Sequence, residues 1–348
     1  MSQYTNTSEY QATGNPPAGS FRFNTETRKL EIYNGESWWD IDATSTELET
    51  GGTRGIWAGG EEPSRSNRIS FMNVDTHGNI TDFGDATRTL TSHKALSSRT
   101  KGLIVGGFIG PQPTSYHDSI DFVTIASKGN GQDYGDLTVF TGGQRASCSN
   151  QTRGIVMGGM FQGIHNNTIE FMTIAQNGNS VDFGDLTVIN VGCSGVSNRT
   201  RGLCFFGNTT PARSNGIEFI TMATTGNAAD FGDSTTVGNH RGTVANAVRA
   251  ITAGGQTDSG PQDVIQYVTI ATLGNARDFG DLTGNRAGMG GGCASPTRGV
   301  FGGGYTPSLS DVMDSVQIMS TGNAVDFGNL ASSVQYAAGM SNGHGGLG

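Results

Sequence analysis

The chain has 348 residues, a formal net charge of −9 and 55 glycines, and 34% of its residues are hydrophobic. The acidic balance speaks against nucleic acid as a partner, since phosphates call for a basic footprint. No apolar run approaches the roughly 20 residues of a membrane-spanning helix.

Residues 1–18 are polar and broken by Gly14-Asn-Pro-Pro17. They read as an extended arm without the apolar stretch of a secretory signal. Residues 19–42 read as a three-stranded β-meander: Gly19-Ser-Phe-Arg-Phe-Asn, then Leu30-Glu-Ile-Tyr, then Ser37-Trp-Trp-Asp-Ile41, with Asn34-Gly35 as a tight turn. So small a meander cannot bury a stable core alone and is expected to dock on a partner or on copies of itself. Trp38 and Trp39 are adjacent, so a strand points them to opposite faces. They are the expected anchoring residues. Residues 43–52 form a polar linker.

From residue 53 to the end the chain repeats. The clearest copy is Ile169-Glu-Phe-Met-Thr-Ile-Ala-Gln-Asn-Gly-Asn-Ser-Val-Asp-Phe-Gly-Asp-Leu-Thr187. The Gly of its Gly-Asn pair recurs at Gly78, Gly129, Gly178, Gly226, Gly274 and Gly322, in steps of 51, 49, 48, 48 and 48. A second mark keeps the same register: Thr-Arg-Gly, an apolar run and Gly-Gly, as in Thr53-Arg-Gly-Ile-Trp-Ala-Gly-Gly60 and Thr297-Arg-Gly-Val-Phe-Gly-Gly303. Each repeat reads as four short strands, A to D, with no 3.6-residue period. Four strands in about 48 residues predict a blade of a β-propeller, and six repeats predict six blades. The first repeat lacks a strand A. Ala338-Gly-Met340 echoes Ala287-Gly-Met289, so the C-terminal segment is expected to close blade one.

The Asp-Phe-Gly-Asp element is too poor in ligands for calcium, since it offers only two carboxylates, and blade six has Asn329 in place of the second. It reads as a turn whose first Asp accepts backbone N–H bonds and pairs with a strand-B Arg. Arg54, Arg153, Arg201, Arg249 and Arg298 recur once per blade in five of the six blades, with Lys101 in the second, which favours a structural role. Cys148, Cys193, Cys204 and Cys293 match no metal spacing and read as small buried thiols. The six histidines fall at unrelated repeat positions. No catalytic residue, metal ligand or cofactor motif emerges, so the chain reads as a non-enzyme without a cofactor.

The blade pattern, with Gly-Gly closing strand B, resembles Kelch repeats over residues 53–346, although the usual Trp near strand D is replaced by Phe83, Tyr134, Phe183, Phe231, Phe279 and Phe327. The stretch Pro17 to Trp38 looks like a short module of bacteriophage tail-fibre and other virion proteins. The Gly-Asn…Asp-Phe-Gly-Asp-Leu-Thr repeats look like those of cyanophage structural proteins. These resemblances imply a virion component made in the host cytoplasm and present in multiple copies, held to other virion proteins by the N-terminal module. They also imply a head that touches a host surface glycan or protein. A decoration with no host ligand, or a glycan-processing propeller enzyme, are the alternatives.

Contrast between repeats locates the expected contact surface. The Gly-Asn and Thr-Arg-Gly turns are nearly constant, whereas the loops between strands B and C vary, and variable loops on a rigid scaffold carry function. Phe108, Tyr116, His117, Phe161, His165 and Tyr305 lie in these loops and are the expected binding residues.

Overall fold

A computed structural model of the chain describes residues 16–25, 29–40, 52–110, 115–139, 143–210 and 212–347. The expected arm up to residue 15, most of the linker and the tip of the second B–C loop lie outside the described residues. The chain divides into two compact units, Met1–Glu49 and Thr50–Gly348.

The first unit holds a three-stranded antiparallel sheet of β1 (Phe21–Asn24), β2 (Lys29–Tyr33) and β3 (Trp38–Asp40) in sequential order. Its turn is fixed by Asn34, whose Oδ1 accepts the N–H groups of Glu36 and Ser37, each at 2.8 Å.

The second unit is all-β. Its one helical element among the described residues is a single 3-10 turn, Gly345–Leu347. Each repeat forms an antiparallel sheet in the order A-B-C-D. Repeat three shows the plan: A is Ala146–Ser149, B is Arg153–Met157, C is Ile164–Thr173 and D is Val181–Asn190. In repeat one, B (Arg54–Ala58), C (Ser64–Asn73) and D (Thr81–Leu90) come from the start of the array. Strand A is Ala338–Ser341, paired with B in the register Ala338↔Ala58 to Ser341↔Gly55. The first sheet is therefore built from both ends of the array, as the missing first strand predicts.

Two glycine positions explain the repeat. The doublet ending strand B has positive φ at both residues in five repeats, for example 67° and 110° at Gly158 and Gly159. Side chains rarely tolerate that conformation. The glycine of Asp-Phe-Gly-Asp is needed for a close approach: a Cβ on Gly184 would lie 2.5 Å from the Gly226 carbonyl oxygen of the next repeat. The same conflict recurs at every junction, including Gly328 against Gly78.

The aromatic residue before that glycine sits at a β-bulge. In repeat three Ile169 pairs with Gly184 and Glu170 with Asp182, which leaves Phe183 as the extra residue. A bulge re-aims its side chain, and Phe183 is buried, as are its five counterparts. Six hydrophobic clusters each join residues of adjacent repeats; one runs from Ile155 and Phe183 of repeat three to Ile220 and Met222 of repeat four.

Candidate functional site

Most polar groups of the repeat serve the junctions. The Gly226 N–H donates to the Phe183 carbonyl at 2.8 Å, and Asn227 Oδ1 accepts the Asp185 N–H at 3.0 Å. Equivalent pairs occur at all six junctions, and the last joins Asn329 to Asn79 and Gly78 to Phe327. The Arg of strand B also reaches across: Arg153 donates to the Met222 carbonyl at 3.0 Å while its guanidinium stacks on Phe171, 4.8 Å from the ring centroid. This corrects the expected Asp–Arg pair. The first Asp of the motif is exposed, as at Asp82, Asp133 and Asp182. The Asn of the next repeat takes the role expected of it, and the Arg binds carbonyls of the next C–D turn.

The sequence reading passed over a set of buried acids inside the apolar C strands. Asp121, Glu170, Glu218 and Asp314 are buried, with Gln266 at the same position in repeat five. Each accepts from a Thr just past Asp-Phe-Gly-Asp in the preceding repeat; Thr138 donates its Oγ1–H to Glu170 at 2.7 Å and Thr283 donates to Asp314 at 2.7 Å. Glu170 also pairs with buried Arg145 at 2.8 Å, and Asp314 pairs with Arg286. Burial alone would raise Glu170, but Arg145 and the Thr138 hydrogen bonds hold it below the usual carboxylate range. Glu218 has Cys193 where repeat three has Arg145, and burial raises it. A lone acid recurring every 48 or 49 residues within an apolar run was the available signal.

The expected binding residues separate into groups. Phe108 and Tyr116 are cross-strand partners with ring centroids 4.9 Å apart, and Tyr116 meets Phe161 at 5.4 Å. Phe108 has no exposed surface and Tyr116 is buried, so these two pack the loop rather than present a contact. His117 lies 2.6 Å from Arg88, and burial and that cation lower its pKa. His165 meets Thr210 of repeat four at 3.1 Å, and burial lowers its pKa too. Tyr305 stands apart from these: its hydroxyl donates to Gln256 Oε1 at 2.9 Å, and its ring edge lies over Gly288. The B–C connection of repeat three is a β-ribbon, Met160–Phe161 against Ile164–His165, turned at Gln162-Gly163 with positive φ at both residues. Ile164 beside that turn is exposed. Phe161, His117, His165 and Tyr305 therefore remain partly accessible.

In the N-terminal sheet the cross-strand partners Phe21, Ile32 and Trp39 share one face with Phe23 and Leu30. Phe21, Phe23 and Trp39 are 61–63% exposed and Leu30 is 45% exposed, so this face is apolar and open. The opposite face is occupied by its own residues: Arg22 pairs with Glu31 at 2.6 Å and lies 4.3 Å over Trp38, which packs against Tyr33.

A cavity of about 60 Å³ is lined by residues of all six A strands, among them Lys94, Ser147, Gly195, Thr243, Gly292 and Gly339. Each A strand lies beside those of the preceding and following repeats, and strand A of repeat six (Gly292–Ala294) lies beside Ala338–Ser341. Hydroxyl bonds tie several neighbours: Ser149 donates to the Ser97 carbonyl, Ser197 to that of Ser149, and Ser97 to that of Ser341. His344 folds across one end, with Nε2 donating to the Ser97 carbonyl at 2.9 Å and Nδ1 accepting the Gly346 N–H at 3.1 Å.

All four cysteines are free and buried. Among the described residues no group of three or more His, Cys, Asp or Glu is arranged to hold a metal ion. Compared with known proteins, the chain matches no protein-family model and no curated protein.

Proposed function

We propose that the second unit is a closed, six-bladed, Kelch-like β-propeller. On this reading the chain is a non-enzymatic virion structural protein, a tail-fibre or appendage component. Its propeller is the interaction head and its N-terminal sheet anchors it to the particle. Support for closure is that the Gly-to-aromatic-carbonyl bond and the Asn Oδ1 bond found at the other junctions recur between repeats six and one. The phage setting comes from the resemblance of the N-terminal module and of the Asp-Phe-Gly-Asp-Leu-Thr repeats.

The observation that carries the anchoring role is the open apolar face of Phe21, Phe23, Leu30, Ile32 and Trp39. A three-stranded sheet with one apolar face needs a second layer, and another virion protein supplies it. The head meets host glycan or protein through the B–C ribbons and loops, with Phe161, His165, His117 and Tyr305 as the accessible groups.

The test uses phage particles whose copy of this chain carries Phe21→Ser and Trp39→Ser. Particles should lose the protein, read by mass spectrometry of purified virions, while the isolated variant melts like the parent. Retention on the virion would reject the anchor. If Phe161→Ala/His165→Ala particles keep the protein but adsorb poorly to host cells, the head is placed on the B–C side. Full adsorption would reject that part.

A further inference from the structure

We propose that the cavity lined by the six A strands binds a small monovalent anion, such as a halide, against the ammonium of Lys94. Lys94 begins strand A of repeat two, is only 8% exposed and lines the cavity. Among the described residues its one hydrogen bond is a long one, 3.4 Å from Nζ to the Gly290 carbonyl across the cavity, and no carboxylate pairs with it. A buried cation without a counter-ion is costly, and a protein relieves that cost by deprotonation or by pairing.

The buried carboxylates of the C strands are already engaged. Glu170 holds Arg145, Asp314 holds Arg286, and Asp121 and Glu218 take Thr87 and Thr187. Burial lowers the Lys94 pKa, and an anion against Nζ would offset that by favouring the charged form. Burial keeps His93 and His344 neutral at neutral pH, with pKa values lowered to about 4.

The wall adds donors. Ser98 N–H donates to the Lys101 carbonyl, within the hairpin, whereas Ser97 N–H donates sideways to Ser149 Oγ. Alternation along the strand therefore turns the Ala95 N–H away from the hairpin, and the same pattern at Ser149 turns the Ser147 N–H that way. Charge sets the class: Lys94 is the one lysine of the lining, so a monovalent anion matches it. A dianion would face one lysine only.

The experiment measures melting of the full chain in sodium chloride or bromide against sodium gluconate at equal ionic strength, for the parent and for Lys94→Met. The parent should gain about 3 °C per tenfold rise in halide above saturation, and Lys94→Met should gain nothing. Equal melting of the parent in halide and gluconate, or an undiminished halide gain in Lys94→Met, would overturn the site. Should Lys94→Met fail to fold, a crystal of the parent grown in bromide decides. An anomalous peak within about 3.5 Å of Nζ supports the proposal, and water alone there rejects it.

Discussion

Asn79 Oδ1 accepts the backbone N–H of Asn329 at 3.0 Å, joining two residues 250 positions apart by the same bond that joins Asp185 to Asn227. If the array is closed, the junction between its ends is energetically one junction among six. Asn79→Ala should then cost about 1 kcal/mol and match Asn179→Ala in thermal melts. A silent Asn79→Ala beside a destabilising Asn179→Ala would mean an open array.

Deleting residues 335–348 removes strand A of repeat one together with the turn that places His344. The B strand Arg54–Ala58 would be left with an unpaired edge. The melting temperature should fall sharply, and an unchanged melting curve would count against closure by this segment.

Glu170 and Glu218 occupy the same repeat position with opposite electrostatics, so the same substitution should act differently. Glu170→Gln leaves Arg145 buried without its charge partner and should cost about 3 kcal/mol. Glu218 has no such cation and its carboxyl is pushed up by burial. Glu218→Gln, which copies Gln266, should leave the melting temperature unchanged or higher at neutral pH. Paired melts of the two variants check the contrast.

Acid should destabilise the second unit through its buried histidines. Burial lowers His93 and His344 to about 4 and His240 to about 3. The unfolded chain protonates its histidines near 6.5. Between those values the unfolded state holds more protons, so stability that is complete above pH 6.5 is lost as pH falls toward 4. His344→Gln should flatten that slope in melts taken from pH 7 to pH 4.

What the sequence disclosed was periodic: the four strands per repeat, the C-terminal strand of repeat one, the burial of the four thiols and the opposed faces of Trp38 and Trp39. What it concealed was partnership between repeats. Arg54 binds the carbonyl of Ile125, 71 residues on, rather than the Asp of its own repeat. The Asp-Phe-Gly-Asp motif read as a turn held by the side chain of its first Asp. Its function in the fold lies in its backbone, in a bulge, a glycine gap and one N–H. Phe108 looked like a loop aromatic, but it ends strand B of repeat two and its ring packs against Tyr116 and against Gly143 of the next repeat. Burial of that kind depends on the neighbouring repeat and leaves no local mark.

The pairing of Ala338–Ser341 with Arg54–Ala58 also sets a clock. The ribosome finishes the B strand 280 residues before it begins the strand that covers its edge. At roughly 5–20 residues per second, the nascent first sheet waits about 15–60 s with Gly55, Ile56, Trp57 and Ala58 open to any other extended chain. Neighbouring nascent copies on one message would carry the same open edge, so crowded synthesis is when this protein is most exposed to pairing with the wrong partner, and slower initiation should raise its soluble yield.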